Sequence, residues 1–355
     1  MRPDARPAAG LSVVVLGGTG FLGRHLVRAL AAGGARVHPV SRTGGDTRDR
    51  AAGRLGPSAA TPGETVRLDL LAATPGEIAA LLDATAADVV VNAAGRAWRA
   101  DAEEMAAGNA ELVERLVAVL AGRTGPPVRL VQLGSVHEYG AGAPDAATGE
   151  DHPPEPVTPY GRTKLAGTRA VLRGAGERGV DGVVLRLANV IGAGVPEGSL
   201  FGRVAAHLGT AAHAVARGGS AAELRLPPLR AARDLVDAGD TVAAVLAAAT
   251  APADAVSGRV INIGRGEAVP MRGLIHRMVS LSGVGVPVTE DAEGPPSRTD
   301  VASQRLDVAR AARLLDWRPR RSLDDSLRDV LAPVLPPGHP LGALPHASDM
   351  EEESP

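Results

Sequence analysis

Seven consecutive residues, Gly17-Gly18-Thr19-Gly20-Phe21-Leu22-Gly23, constrain this chain more than any other stretch. They follow the apolar run Leu11 to Leu16 and open the amphipathic run Phe21 to Ala32, after which a second apolar run extends from Ala35 to Val40. Strand, glycine turn, helix and strand make a βαβ unit. Glycines at 17, 20 and 23 let the backbone turn tightly, approach a pyrophosphate and pack the helix on the sheet, with the first helical N–H groups facing the phosphates. The strand before and the helix after give the glycine triplet its meaning, and Gly17, Thr19, Gly20, Phe21, Leu22 and Gly23 are the expected dinucleotide contacts.

Apolar runs recur at Val66 to Leu68, Asp88 to Asn92, Val128 to Leu133 and Gly182 to Leu187, with helical patterns at Gly76 to Ala84, Asp101 to Leu120 and Tyr160 to Arg178. Strands alternating with helices pack as a parallel sheet covered on both faces. The expected fold class is therefore α/β: a Rossmann-like doubly wound parallel sheet with a smaller, interleaved C-terminal substrate lobe. After Asn189 the alternation gives way to turns at Gly192 to Gly198 and Pro227-Pro228, while Arg259 to Ile263 reads as one more strand of the sheet. The nucleotide-binding domain is expected over residues 11–188 plus about 231–263, and the substrate-binding lobe over 189–230 and 264–335. Residues 1–10 and 336–355 are expected to be disordered tails, the second for its Pro, Gly and the acidic cluster Glu351 to Glu353.

Composition removes several classes of function. The 355 residues include no Cys, which excludes disulfides, thiolate zinc sites and cysteine nucleophiles. The 38 basic and 40 acidic residues nearly cancel and no basic run stands out, so no nucleic-acid partner is expected. Met1 to Gly10 lacks the apolar core of a secretory signal and no apolar run is long enough to span a bilayer, which reads as a cytoplasmic protein with no membrane partner. Of the nine His, His207 and His213 are six apart and fall on different helical faces, so no metal is expected.

Lys164 is the only lysine among the 38 basic residues, and Tyr160, one of two tyrosines, precedes it by four positions on a helix that Thr158-Pro159 begins. Side chains four apart share a helical face. A cation there favours the phenolate, which brings the Tyr160 hydroxyl toward working pH as a proton donor or acceptor for a carbonyl or alcohol oxygen. The compact ammonium also suits ribose hydroxyls better than an Arg fork does. Ser135 lies just past the Val128 to Leu133 strand, at the carboxyl edge where such sheets bind ligands, and is the third catalytic candidate with Tyr160 and Lys164.

The spacing Gly-x-x-Gly-x-x-Gly, with Ser135 and Tyr160-x-x-x-Lys164 downstream, resembles the extended short-chain dehydrogenase/reductase superfamily, the NAD-dependent epimerase/dehydratase family. The resemblance covers most of residues 11 to 332 and continues through Leu185-Arg186-Leu187-Ala188-Asn189-Val190-Ile191-Gly192, Arg233-Asp234-Leu235-Val236-Asp237, Asn262-Ile263-Gly264 and Asp316-Trp317-Arg318-Pro319. Ile191 and Ala193 stand where the family carries Tyr and Pro. The resemblance implies that Ser135 hydrogen-bonds the reacting oxygen, that Asp69 with Leu70 meets the adenine, and that Asn92-Ala93-Ala94-Gly95 passes close under the cofactor. It implies a nucleotide-diphosphate sugar as substrate, with Arg233 and Arg298 on its pyrophosphate and Asn189 in the same site. Trp98 is a candidate either to stack on the sugar or to pack in the core, and His137 either a proton relay near substrate or a structural residue of its turn. A homodimer is allowed for.

Where NAD-preferring relatives carry a carboxylate at the end of the second strand, this chain has Ser41-Arg42, which would attract the 2′-phosphate of NADPH; NADH is the less favoured cofactor. The 4,6-dehydratases of the family resemble Thr-Asp-Glu where this chain has Ser135-Val136-His137, and Val136 cannot transfer a proton. The preferred reading is net reduction, similar to the NDP-4-keto-6-deoxyhexose 4-ketoreductases of deoxysugar biosynthesis. NAD-dependent 4-epimerisation, reduction of a non-sugar ketone and a non-catalytic NADP-sensing role are the alternatives.

Overall fold

The computed structural model describes residues 8–42, 63–97, 100–142, 146–291 and 301–342. The nucleotide half runs β1 (Ser12–Leu16), α1 (Phe21–Ala32), β2 (Arg36–Ser41), β3 (Val66–Arg67), α2 (Pro75–Ala84), β4 (Val89–Asn92), α3 (Ala102–Ala106), α4 (Leu112–Ala121), β5 (Arg129–Ser135), α5 (Pro159–Arg178) and β6 (Gly182–Leu187). Then follow β7 (Asn189–Ile191), α6 (Leu200–Ala216), β8 (Leu224–Leu226), β9 (Ala232–Arg233), β10 (Leu235–Asp237), α7 (Ala238–Thr250), α8 (Ala253–Val256) and β11 (Val260–Ile263). The chain closes with β12 (Val269–Pro270), α9 (Met271–Ser282), β13 (Val288–Glu290), β14 (Ser303–Gln304), α10 (Ala309–Leu315) and α11 (Leu323–Leu331).

Seven strands form one parallel sheet in the order β11-β6-β5-β4-β1-β2-β3. Its central strands are buried along their whole length, as β1, β4 and β5 are, which is why they read as continuous apolar runs rather than as alternation. Chain order reverses between β1 and β4, whose carboxyl ends part to leave the crevice in which such sheets bind ligands. The α/β fold class read from the sequence is the one observed.

Local chemistry fixes the helix that matters most to the crevice. Thr158 caps α5 by accepting the Gly161 N–H, Pro159 presets its first turn, and Gly179 ends it in the left-handed conformation at φ 66°. Tyr160 is thereby held in the first turn, beside the carboxyl end of β5. Residues 101–120 are not one helix as expected. Ala107–Glu111 forms a π-helical turn between α3 and α4, widening the coil where Asn109 reaches across to Arg96 and Thr163.

Two apolar cores cover the faces of the sheet, and a third gathers α6, α9 and α11 around Ile191, Leu208, Ile275 and Leu327 in a smaller lobe. The lobes interleave: β10 pairs in parallel with β7, and β9 is flanked by β12 and β14. Leu306, Ala311, Leu315 and Trp317, grouped by sequence with the second lobe, pack instead in the core under the sheet, where Trp317 donates its indole N–H to Asp240 O at 2.9 Å. The tails also differ from expectation within the described residues. Ala8 is buried against the first core, and Gly342 N donates to Leu281 O while the His339 ring hydrogen-bonds Ser282 O, docking residues 336–342 on the end of α9. Among the described residues no helix is long and apolar enough to cross a membrane.

Asp234 is the knot between the lobes. Its buried carboxylate accepts N–H groups from Arg265 at 2.8 Å, Gly266 at 3.1 Å and Leu306 at 3.0 Å. Replacing it with Ala strands one buried donor and two part-buried ones, each at a cost of about 1 to 3 kcal/mol at full burial. Asp234→Ala should therefore lower unfolding stability by about 3 kcal/mol or more, as read from urea denaturation at constant slope.

Candidate active site

The site is built at the carboxyl edge of the sheet, beginning with the glycine turn. Gly17 has φ +75°, and a Cβ on it would lie 2.9 Å from the backbone of Ala94 at the end of β4. A Cβ on Gly23 would lie 2.1 Å from Gly17 O. Neither position has room for a side chain, so β1, α1 and the end of β4 meet at backbone contact. Gly20 is the N-cap of α1 and brings no side-chain hydrogen bond to it, so the first N–H groups of the helix stay available to an external acceptor. Thr19 and Gly20 are exposed, Phe21 and Leu22 partly so. This uncapped, glycine-cradled terminus fits a dinucleotide pyrophosphate.

Around that cradle the remaining expected contacts are distributed unevenly. Ser41 ends β2 and is buried, whereas Arg42 just beyond is exposed, so the guanidinium rather than the hydroxyl is the group offered at this corner. Asp69 is exposed and accepts the Leu71 N–H at 3.1 Å, next to buried Leu70. Asn92 is buried, donates to Gln132 at 2.8 Å and accepts the Ala94 N–H at 3.2 Å, which fixes the Ala93-Ala94-Gly95 turn beneath the cradle. Trp98 and Arg298 lie outside the described residues.

The three catalytic candidates come together. Ser135 is the last residue of β5 and caps the short helical turn that follows, its Oγ accepting the His137 N–H at 3.3 Å. That bond occupies a hydroxyl lone pair and leaves the O–H to turn toward the Tyr160 phenol, whose pKa the Ser135 side chain lowers. Lys164, one turn along α5 from Tyr160, is buried and donates to Leu133 O in β5. Burial pushes the Tyr160 phenol up to about 12, against the Ser135 hydrogen bond, which lowers it, and together with the Glu138 charge, which raises it. The expected pull of Lys164 on the phenol is thus not what governs here: desolvation disfavours the phenolate, and it lowers the Lys164 pKa as well.

Of the expected substrate contacts, His137, Arg233 and Asn189 fall among the described residues. The His137 ring packs edge-on against Tyr160 with centroids 5.7 Å apart, and burial and the Arg233 charge lower its pKa to about 4. His137 is therefore neutral at neutral pH. Arg233 is buried in β9 and donates to Ala232 O at 2.9 Å, while Asn189 donates from its amide to Asp234 O at 3.1 Å.

Three residues at the site escaped the sequence reading. Asn109, in the π-helical turn, accepts Arg96 N–H at 2.9 Å and donates to Thr163 at 3.1 Å, tying the β4 loop to the helix of Tyr160 and Lys164. Its only signal is a polar residue in the middle of an amphipathic run. Glu138 is fully buried beneath Ser135, and Gln304, opposite Arg233 in the β14–β9 pair, is buried with both amide atoms lacking a hydrogen-bond partner. The Ser135-x-x-Glu138 spacing is that of a capping box and is the local signal for Glu138, whereas its Arg186 partner and the place of Gln304 cannot be read from local spacing.

Comparison with known proteins bears on the family and the fold. The model of a family described as the NAD dependent epimerase/dehydratase family matches residues 13–264. The dTDP-6-deoxy-L-talose 4-dehydrogenase (NAD(P)(+)) of Kitasatospora kifunensis is 42% identical over 332 residues, covering 92% of this chain and 96% of that protein. The structure of RMD from Pseudomonas aeruginosa complexed with NADPH superposes with a TM-score of 0.73 at 23% identity, covering 91% of this chain and 98% of the other. The UDP-glucuronic acid 4-epimerase from Bacillus cereus, solved with UDP-glucuronic acid and NAD, gives 0.71 at 20% identity with coverages of 91% and 98%.

The neutral His137 ring yields a stability prediction. Its folded pKa of about 4 lies below the ordinary value of 6.5, so the unfolded chain takes up this proton first as pH falls. The stability contribution is complete above pH 6.5 and is lost between pH 6.5 and 4, by about 3 kcal/mol from this group. In His137→Gln, urea unfolding across that window should be less steeply pH-dependent than in the parent protein by this amount.

Proposed function

The chain belongs to the NAD dependent epimerase/dehydratase family, and on that premise we propose that it reduces the 4-keto group of a nucleotide-activated deoxysugar with NADPH. The observation that carries this reading is the meeting of Tyr160 and Ser135 at the carboxyl edge of the sheet, with a buried valine at 136 and a neutral imidazole at 137. Dehydration needs an acid and a base at those two positions, and neither residue is a carboxylate. Support for the substrate class comes from the 42% identical relative, named for oxidation at C4 of a dTDP-linked 6-deoxysugar. Oxidation and reduction at that carbon are one reaction run in opposite directions, and the same groups serve both.

NADPH, when bound, supplies the hydride. The residues that would hold it are Gly17, Thr19, Gly20, Phe21, Leu22 and Gly23 at the pyrophosphate, Asp69 and Leu70 at the adenine, Asn92 to Gly95 beneath the cofactor, and Lys164 at the ribose. Arg42 would meet the 2′-phosphate with a charge-assisted hydrogen bond. Ser135 orients the carbonyl oxygen of the sugar and Tyr160 gives it a proton. A phenol whose pKa burial raises to about 12 is fully protonated at neutral pH, the form that reduction requires. Arg233 would face the substrate diphosphate, and His137 and Asn189 would bound the sugar.

The cofactor assignment is tested by titrating NADPH and NADH into the protein and into Arg42→Ala. Loss of a charge-assisted contact should weaken NADPH binding about tenfold or more while NADH binding changes less than about twofold. Equal losses for the two cofactors would reject NADPH as the preferred one.

A further inference from the structure

Directly under Ser135 lies a carboxylate that is fully buried and accepts hydrogen bonds at both of its oxygens. Glu138 Oε1 accepts the Ser135 N–H at 2.8 Å. Its Oε2 accepts two bonds from Arg186 in β6, from Nε at 3.0 Å and Nη2 at 2.8 Å. Arg186 in turn lies over the Tyr139 ring, 4.2 Å from its centroid, and the Tyr139 hydroxyl donates to Asn262 in β11 at 2.9 Å. A side chain at residue 134 would run into the carboxylate, because a Cβ on Gly134 would sit 2.7 Å from Glu138 Oε1. The strand, the glycine and the arginine are thus shaped around this one acid.

Burying an ion pair costs more desolvation than it returns in attraction unless hydrogen bonds complete it, and a Met or Leu pair of similar volume would serve stability as well. The pair therefore needs a reason besides stability. Its charge supplies one. Arg186 is the cation in contact with Glu138, and the Glu138 charge also reaches buried Lys164, where it raises a pKa that burial lowers. We propose that Glu138 is the positioning residue of this site, a fixed carboxylate that sets the Ser135 peptide with one oxygen, acts as counter-charge to Lys164 and opposes ionisation of the Tyr160 phenol. Arg186 clamps the other oxygen so that the acid cannot turn away. The charged and titratable groups around Glu138 are Arg186 from β6, Lys164 and Tyr160 from α5, and His137 and Tyr139 beside it. Glu150 reaches the same network through the Asn262 N–H at 2.9 Å.

The inference rests on the reading of Tyr160 and Lys164 as the reacting pair, but its test does not depend on turnover. Because Lys164 is the only lysine in the chain, protein labelled with isotopic lysine gives one side-chain NMR signal whose titration reports this ammonium alone. In Glu138→Gln the anion is gone and the shape is kept, so the titration midpoint of Lys164 should fall by about one unit or more. In Glu138→Asp the charge stays while the Ser135 N–H loses its reach; the midpoint should move by less than about half a unit although turnover drops. Where turnover can be followed, the limb of the pH–rate profile set by Tyr160 should move to lower pH in Glu138→Gln, in either reaction direction. If Glu138→Gln does not fold, Glu138→Leu combined with Arg186→Met is compared with Arg186→Met alone, so that only the carboxylate differs, and the Lys164 midpoint should be the lower of the two in the double variant. An unchanged Lys164 midpoint in a folded variant lacking the carboxylate would overturn the proposal. A moved midpoint in a protein that reduces no keto-sugar would uphold it and reject the functional reading instead.

Discussion

The turn from β1 into α1 permits no side chain at two of its glycines, and the rest of the molecule is arranged around that exclusion. Gly17 O stands where a Cβ of Gly23 would be, at 2.1 Å, and Ala94 presses on Gly17 from the next strand. Backbone therefore touches backbone among β1, α1 and the end of β4. This contact brings the uncapped start of α1 to the place where the strand order reverses, and the reversal opens the crevice that the other elements line. A methyl group at Gly23 would lift the helix, widen the crevice floor and withdraw the N–H groups from any phosphate at once. The same few atoms thus control packing and ligand geometry.

Burial is the second theme, because it sets the protonation states on which the chemistry depends. Desolvation keeps Tyr160 a phenol, His137 a neutral imidazole, and opposes the charge on Lys164. Against this background one buried carboxylate changes the balance between neighbouring groups more than a surface charge would, since water does not screen it. A site of this kind moves protons only where a partner oxygen arrives in place of the excluded water. On the function proposed above, Ser135, whose lone pair is already engaged by the His137 N–H, is the group that would receive that oxygen.

The parts of this structure written in local order were legible in the sequence. Seven strands and their parallel arrangement follow from apolar runs alternating with helical ones, and the glycine turn and the Tyr160–Lys164 pair follow from fixed spacings on one turn and one helical face. What was not legible depends on residues that folding brings together from far along the chain. Glu138, Arg186 and Asn262 are separated by dozens of residues and meet only because β5, β6 and β11 are neighbours. The π-helical turn at Asn109 answers to a loop thirteen residues away, and no periodicity announces it. Nor does local order place Trp317, whose hydrogen-bond partner Asp240 lies 77 positions earlier. Sequence spacing puts Lys164 and Tyr160 on one helical face but does not give the depth of burial, and it is burial that raises the phenol pKa.

The central claim is that Tyr160 hands a proton to a sugar oxygen while Lys164 and Ser135 hold the geometry. Its most direct test is a single-turnover measurement of NADPH oxidation with a nucleotide-linked 4-keto-6-deoxyhexose, comparing the parent protein with Tyr160→Phe at saturating cofactor. Removing a general acid should slow the step by about 10² to 10⁴, or roughly 3 to 5 kcal/mol, while NADPH affinity stays within about twofold. Undiminished turnover in Tyr160→Phe would mean that another group protonates the oxygen, and the account of this site would fail even though the fold stands.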